Sequence, residues 1–148
     1  MIDLLAGLAA AALALQSASA SPPETAWTWT LYADEAPVVL ANEVPDTPRL
    51  RTVLECEPGA SVAQMTLYGG QTPAGMAQVS AGEASGVAEL AAGRPGALRL
   101  ALRTDHPVFA AFAAEGRLTV SAGDQQRRIE VPAEHLAKLR RFAELCSG

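Results

Sequence analysis

The stretch that decides the fold is PAEHLAKLRRFAELC, residues 132–146. Its apolar residues recur at helical spacing and form one stripe, with Phe142 on the flank of the stripe. The members of the stripe are Leu136, Leu139, Ala143 and Cys146. Glu134, Lys138 and Arg141 fall on the opposite side, which we expect to face solvent. The pattern predicts a terminal amphipathic helix whose last residue directs a thiol into the body of the domain.

Outward from this helix, the second cysteine of the chain lies in a strand-like run. In RLRTVLEC, residues 49–56, alternate positions share one face, and Cys56 is on it together with Leu50, Thr52 and Leu54. Neither Cys56 nor Cys146 has the Cys-x-x-Cys neighbour or the adjacent base of a reactive thiol. We therefore favour a Cys56–Cys146 disulfide over a catalytic cysteine, provided that the protein folds in an oxidising compartment.

The N-terminus supplies evidence for that compartment. Residues 4–15 form an apolar run, and Ala18-Ser19-Ala20 places small residues where a signal peptidase reads them. The run is too short for a membrane-spanning helix, which needs roughly 20 apolar residues. No Lys or Arg precedes the run, and Asp3 stands there instead, which departs from the usual pattern. We predict a signal peptide over residues 1–20, and a single domain over residues 21–148 with no transmembrane segment.

Composition narrows the class of protein. The net charge is −5 without a basic cluster, which argues against nucleic acid as a partner. Arginine replaces lysine almost everywhere, since Lys138 is the only lysine, and alanine is abundant. This bias is typical of a GC-rich bacterial genome. Together with the export signal, it predicts a periplasmic or secreted protein of a Gram-negative bacterium.

The remaining chain reads mostly as strands. Alternation and β-favouring residues predict seven of them: 27–32, 37–41, 49–56, 62–68, 97–103, 117–121 and 126–131. A short helix is predicted over 108–115, after Thr104-Asp-His-Pro107 and before Gly116. The glycine-rich segment 69–96 has at most two weak strands, near 76–80 and 87–91, and we expect it to be the least rigid part. The predicted fold class is mainly β (α+β): an antiparallel β-sandwich with a short helix and a disulfide-tethered C-terminal helix.

Two residue pairs are candidates for catalysis. Asp105-His106 imitates part of a catalytic triad, but it stands at a predicted helix start, where capping is the more frequent role. Asp34-Glu35 is a carboxylate pair within a predicted turn. No His, Cys or carboxylate spacing is typical of a metal site, and no motif calls for a cofactor.

Candidate binding residues lie in two places. Trp27 and Trp29 share a strand face, where they either pack in the core or stack on a ligand. Gly69, Gly70 and Gln71 open the glycine-rich segment, and loops on a rigid scaffold often carry binding residues. That loop lacks the Gly-Lys-Ser/Thr ending of a phosphate-binding loop.

The layout resembles that of small exported proteobacterial proteins. An early tryptophan strand, a strand with Leu54-Glu-Cys56, a Phe-containing helix before a hairpin, and a terminal helix ending on Cys146 are similar to those of type VI secretion periplasmic accessory proteins. The invasion-associated locus B proteins are similar more loosely. The glycine-rich middle matches neither. The resemblance implies a β-sandwich with a tethered helix and no catalysis, and it transfers no functional residue.

These observations favour a non-enzymatic envelope protein, a protein-binding or accessory module. Its partner is expected to be another envelope protein or a cell-surface polymer. The alternative is a small periplasmic hydrolase or hydrolase inhibitor that uses Asp105/His106 or Asp34/Glu35.

Overall fold

The structure is a computed structural model that describes residues 21–70 and 72–148. The predicted signal peptide over residues 1–20 and the candidate binding residue Gln71 lie outside the described residues. Within the described ranges, no helix is long and apolar enough to cross a membrane.

Nine strands and two helices account for most of the described chain. The strands are β1 (Thr28–Tyr32), β2 (Val38–Glu43), β3 (Leu50–Cys56), β4 (Val62–Tyr68), β5 (Gly75–Ala81), β6 (Ala84–Ala92), β7 (Ala97–Arg103), β8 (Arg117–Ala122) and β9 (Gln125–Glu130). The helices are α1 (Pro107–Glu115) and α2 (Leu136–Cys146), and short 3₁₀ turns precede β1 (Glu24–Ala26) and α2 (Ala133–His135). The prediction of a mainly β protein with one short and one C-terminal helix is confirmed.

The strands form one continuous antiparallel sheet in the order β1-β2-β3-β4-β7-β6-β5-β8-β9. β6 pairs with the whole length of β5, but it pairs with β7 only at Ala91 and Ala92. The sheet curls there, so that β1 and β9, its two edge strands, come close together. The layers of the predicted sandwich are therefore two halves of one curled sheet.

The core lies between these halves and contains both helices. α1 packs on β5, β6 and β8, α2 packs on β1 and β2, and the helices contact each other. Phe109, Phe112 and Phe142 are fully buried, and the first two meet edge to face. Phe142, predicted on the flank of the α2 stripe, thus lies in the centre of the core.

The ends of α1 follow the sequence prediction. Nδ1 of His106 accepts a hydrogen bond from the backbone N–H of Val108 at 3.0 Å, so the imidazole caps the helix, and Pro107 opens the first turn. Gly116 ends the helix at φ 80°. A Cβ at that position would lie 2.5 Å from the carbonyl oxygen of Val131, so glycine is required there.

The predicted disulfide is present. Cys56, at the end of β3, is bonded to Cys146, the last residue of α2, with Cα atoms 5.8 Å apart. That separation is inside the limit of about 7 Å that a disulfide spans. The bond anchors the end of α2 to the end of β3, an interior strand of the sheet.

The glycine-rich segment 69–96 forms longer and more regular strands than the sequence indicated. The two weak strands predicted within it are β5 and β6, which pair in full register and lie in the middle of the sheet. Val79 and Leu90 are completely buried. The segment is an integral hairpin of the fold and not an irregular excursion.

Candidate functional site

An open groove of about 720 Å³ lies between the two edge strands. We call it the edge groove. Strands β1 and β9 form its sides, and the start of β3 and the turns before β1 and α2 complete it. Its lining includes the side chains of Glu24, Trp27, Trp29, Arg51, Arg127 and His135.

A side-chain hydrogen bond, and not backbone pairing, connects β1 and β9 at the groove. Nε1 of Trp29, on β1, donates to the carbonyl oxygen of Glu130, on β9, at 3.1 Å. The carbonyl oxygen of Trp29 accepts a hydrogen bond from Nζ of Lys138 at 2.6 Å, and this Nζ also lies 3.2 Å from Nδ1 of His135. Lys138, predicted on the solvent side of α2, is therefore half-buried against β1. Its ammonium group satisfies a carbonyl that an edge strand leaves free.

Arg127 fastens β9 to the opposite half of the sheet. On its strand it alternates with Ile129 and so points inward. One nitrogen, Nη2, donates to the carbonyl oxygens of Arg51 at 2.9 Å and Tyr68 at 2.8 Å, which lie just beyond the last paired residues of β3 and β4. Nη1 donates to the carbonyl oxygen of Gly69 at 3.3 Å. The guanidinium group thus replaces hydrogen bonds that the β3–β4 ladder no longer makes.

No carboxylate neutralises Arg127 within the described chain. Burial lowers the pKa of its guanidinium, and the like charge of Arg51 lowers it further. The group nevertheless stays charged, since the ordinary pKa of an arginine lies far above neutral pH. This end of the edge groove therefore carries positive potential.

Arg51 stands at the mouth of the groove between an aromatic ring and a carboxylate. Its guanidinium carbon lies 4.0 Å from the centroid of the Trp27 ring, a cation–π geometry. Its Nη1 and Nη2 donate to the two carboxylate oxygens of Glu24 at 2.5 and 2.7 Å. These hydrogen bonds are the main reason that the pKa of Glu24 is lowered from its ordinary value of 4.5. The pair is bidentate, the arrangement that best matches a guanidinium to a carboxylate.

Trp27 carries an unsatisfied polar atom. Its Nε1 is buried, and no acceptor lies within reach of it among the described residues. A buried donor without a partner costs about 1–3 kcal/mol. Trp29, in contrast, is buried and fully bonded, so of the two tryptophans predicted as core or ligand-stacking residues, Trp29 is a core residue and Trp27 borders the groove.

The other candidate residues lie elsewhere or have structural partners. Asp105 accepts two hydrogen bonds from Arg103, and His106 caps α1, so their side chains do not form a catalytic pair. Asp34 and Glu35 are exposed in the turn between β1 and β2. No group of three or more His, Cys, Asp or Glu residues within the described ranges is placed to hold a metal ion.

The glycine candidates are connected to the edge groove through one arginine. Gly69 provides a carbonyl oxygen to Arg127, and a Cβ on Gly70 would lie 3.3 Å from Nη1 of the same residue. Both glycines have positive φ, 73° and 76°, and are exposed. They shape the turn after β4 beside the groove.

Sequence reasoning missed Glu24, Arg51 and Arg127. A signal existed for Arg127 alone, because a charged residue in register with Ile129 and Val131 is unusual on an inward face. Nothing local connects Glu24 with Arg51, 27 residues away.

Comparison with family models, with curated proteins and with solved structures found no match to this chain. The geometry of the edge groove is therefore the basis for the functional argument.

Proposed function

We propose that the mature chain is an exported, non-enzymatic binding module, and that its edge groove receives a segment of another envelope protein. The observation that carries this proposal is the chemistry of the groove. Its lining combines the Trp27 ring and guanidinium groups with carboxylates and the His135 imidazole, groups that can recognise a ligand of matching charge and shape. An accessory role is also what the resemblance to type VI secretion accessory proteins implies.

The proposed location rests on the predicted signal peptide. The Cys56–Cys146 disulfide is compatible with an oxidising compartment such as the periplasm. Mass analysis of periplasmic protein is expected to find a chain that begins at Ser21. Recovery of an uncleaved chain from the cytoplasm would contradict the proposed export.

The hydrolase hypothesis has less support. His106 already uses Nδ1 as a helix cap, Asp105 is held by Arg103, and neither lines the edge groove. An enzyme built on them would have to give up the α1 cap during turnover. The inhibitor version is a form of binding and is covered by the same experiment.

Site-specific photocrosslinking in the envelope tests the proposal. A benzoylphenylalanine at Thr25 or Glu134, both exposed and lining the groove, is expected to crosslink one defined partner. The matched control position is Val87, which is 65% exposed on the outer face of β6. A benzoylphenylalanine at Ala74 tests whether the partner also contacts the turn that contains Gly69 and Gly70. Equal crosslinking at Val87, or crosslinking there alone, would show that the edge groove is not the binding surface.

A further inference from the structure

The edge groove already holds one carboxylate, which comes from the chain itself. Glu24 belongs to residues 21–26, the segment that leads into β1. Among the described residues, the Glu24–Arg51 pair is the only hydrogen-bonded link between that segment and the sheet, because its other bonds are local: Ala26 N–H to the Pro23 carbonyl, and Trp27 N–H to the Glu24 carbonyl. The Glu24 side chain is 76% exposed. The carboxylate is therefore held by a single replaceable contact.

From this arrangement we infer that Arg51, stacked on Trp27, is the subsite for a carboxylate of the ligand, that Glu24 occupies it in the free protein, and that the ligand is an extended acidic peptide. The inference deepens the proposed function and rests on it.

Exchange of one carboxylate for another suits the groups at this site. The guanidinium of Arg51 has a bidentate carboxylate partner before and after the exchange, and its side chain is 39% exposed, so water solvates the charge in between. The arginines that line the groove, Arg51, Arg127 and Arg128, balance Glu24, Glu130 and Glu134, so the groove has an excess of one positive charge once Glu24 leaves Arg51, and this excess attracts an anion. In addition, while Glu24 is bound to Arg51, Nε1 of Trp27 is buried without an acceptor among the described residues.

A peptide fits the groove better than a polysaccharide does. Sugars bind to open aromatic faces, yet the face of Trp27 is covered by Arg51, and Trp29 is buried. The sides of the groove are the terminal strands of the sheet, β1 and β9. Edge strands carry free backbone N–H and C=O groups, which an extended peptide pairs with and a sugar does not.

The test uses acetyl-tetraglutamate amide as the probe and acetyl-tetraglutamine amide as its uncharged counterpart. Binding to the mature protein is followed by the NMR signals of the two indole N–H groups, at low salt. We expect the tetraglutamate to shift the Trp27 signal more than the Trp29 signal. Glu24→Gln is expected to tighten the dissociation constant about two- to fivefold, the scale on which an exposed ion pair competes. Arg51→Gln is expected to weaken it at least tenfold.

The chain offers a matched control for both variants. Arg103 and Asp105 form a second exposed bidentate pair, with N–O distances of 3.0 and 3.2 Å, outside the edge groove. Asp105→Asn and Arg103→Gln are expected to leave binding of the probe unchanged. Thermal melting of every variant establishes that it is folded, and Arg51→Lys replaces Arg51→Gln if the latter melts early.

Three results would overturn the inference. Equal binding of tetraglutamine would show that no carboxylate is recognised, and binding unaffected by Arg51→Gln would place it elsewhere. Tighter binding of trigalacturonate than of tetraglutamate would identify an acidic polymer as the ligand instead of a peptide. The proposed function can stand when this inference fails. Partner crosslinks at Thr25 that survive Arg51→Gln would support a binding module and contradict only the carboxylate subsite.

Discussion

The indole N–H of Trp29 donates to the carbonyl oxygen of Glu130, 101 residues further along the chain, and so connects the first strand of the sheet to the last. The two edge strands are joined at this point by a side chain, with the edge groove beside it. Because Trp29 and Glu130 also line the groove, loss of this hydrogen bond is expected to affect the groove as well as the stability of the fold.

Replacement of the two tryptophans is expected to have unequal effects. Trp29→Phe removes the donor to Glu130 and should lower the free energy of unfolding by about 1–3 kcal/mol, in addition to the loss of ring volume. Trp27→Phe is the matched control, since its Nε1 has no acceptor to lose and phenylalanine retains an aromatic face for Arg51. Urea unfolding of both variants measures the difference. Equal destabilisation would show that the Trp29 hydrogen bond contributes nothing beyond packing.

Arg127 is expected to be a stabilising clamp as well as a source of charge. Arg127→Met leaves the carbonyl oxygens of Arg51 and Tyr68 without their donor, and should lower the free energy of unfolding by about 1–3 kcal/mol. Arg128→Met, at the adjacent exposed position, should change it by about 0.5 kcal/mol or less. Urea denaturation of the two variants provides the comparison. Similar stability of both variants would show that water replaces the hydrogen bonds of Arg127 without loss of stability.

The disulfide is expected to make a large contribution. It closes a loop of 90 residues, and the loss of unfolded-chain entropy corresponds to about 4.5 kcal/mol. Unfolding in urea with and without reductant should therefore differ by most of that amount, and the Cys56→Ala/Cys146→Ala variant should match the reduced protein. A midpoint unaffected by reductant would show that packing of Phe142 and Leu139 alone holds α2 in place.

The sequence predicts this fold well wherever apolar and polar residues contrast strongly. The stripe of α2, the thiol-bearing face of β3 and the ends of α1 follow from local spacing and cap chemistry. β5 escaped recognition as a firm strand because its inward residues, Ala77, Val79 and Ala81, are mostly small and contrast little with the glycines and serine around them. The edge groove was not predictable either, because Glu24, Arg51 and Arg127 meet only after the sheet curls.

Deletion of the β5–β6 hairpin tests whether the fold depends on it. Replacement of residues 75–92 by a short turn removes two strands from the middle of the sheet and is expected to abolish cooperative unfolding. Met76→Gln and Val87→Thr are the controls, because these side chains are 66% and 65% exposed, and both should melt normally. Circular dichroism during heating distinguishes the outcomes. A shortened protein with a cooperative transition would show that the fold does not need this hairpin.

Acid is expected to release Glu24 from Arg51. Hydrogen bonding to Arg51 lowers the pKa of Glu24 in the folded protein below its ordinary value of 4.5, so the pair contributes fully above that pH. Its contribution is lost as the pH falls through the lowered pKa, when the carboxylate takes up a proton. Because Arg51 stacks on Trp27, tryptophan fluorescence should change over that interval while circular dichroism stays constant. Glu24→Gln should abolish the fluorescence transition, and Asp105→Asn should preserve it. A transition that persists in Glu24→Gln would assign the acid response to another carboxylate.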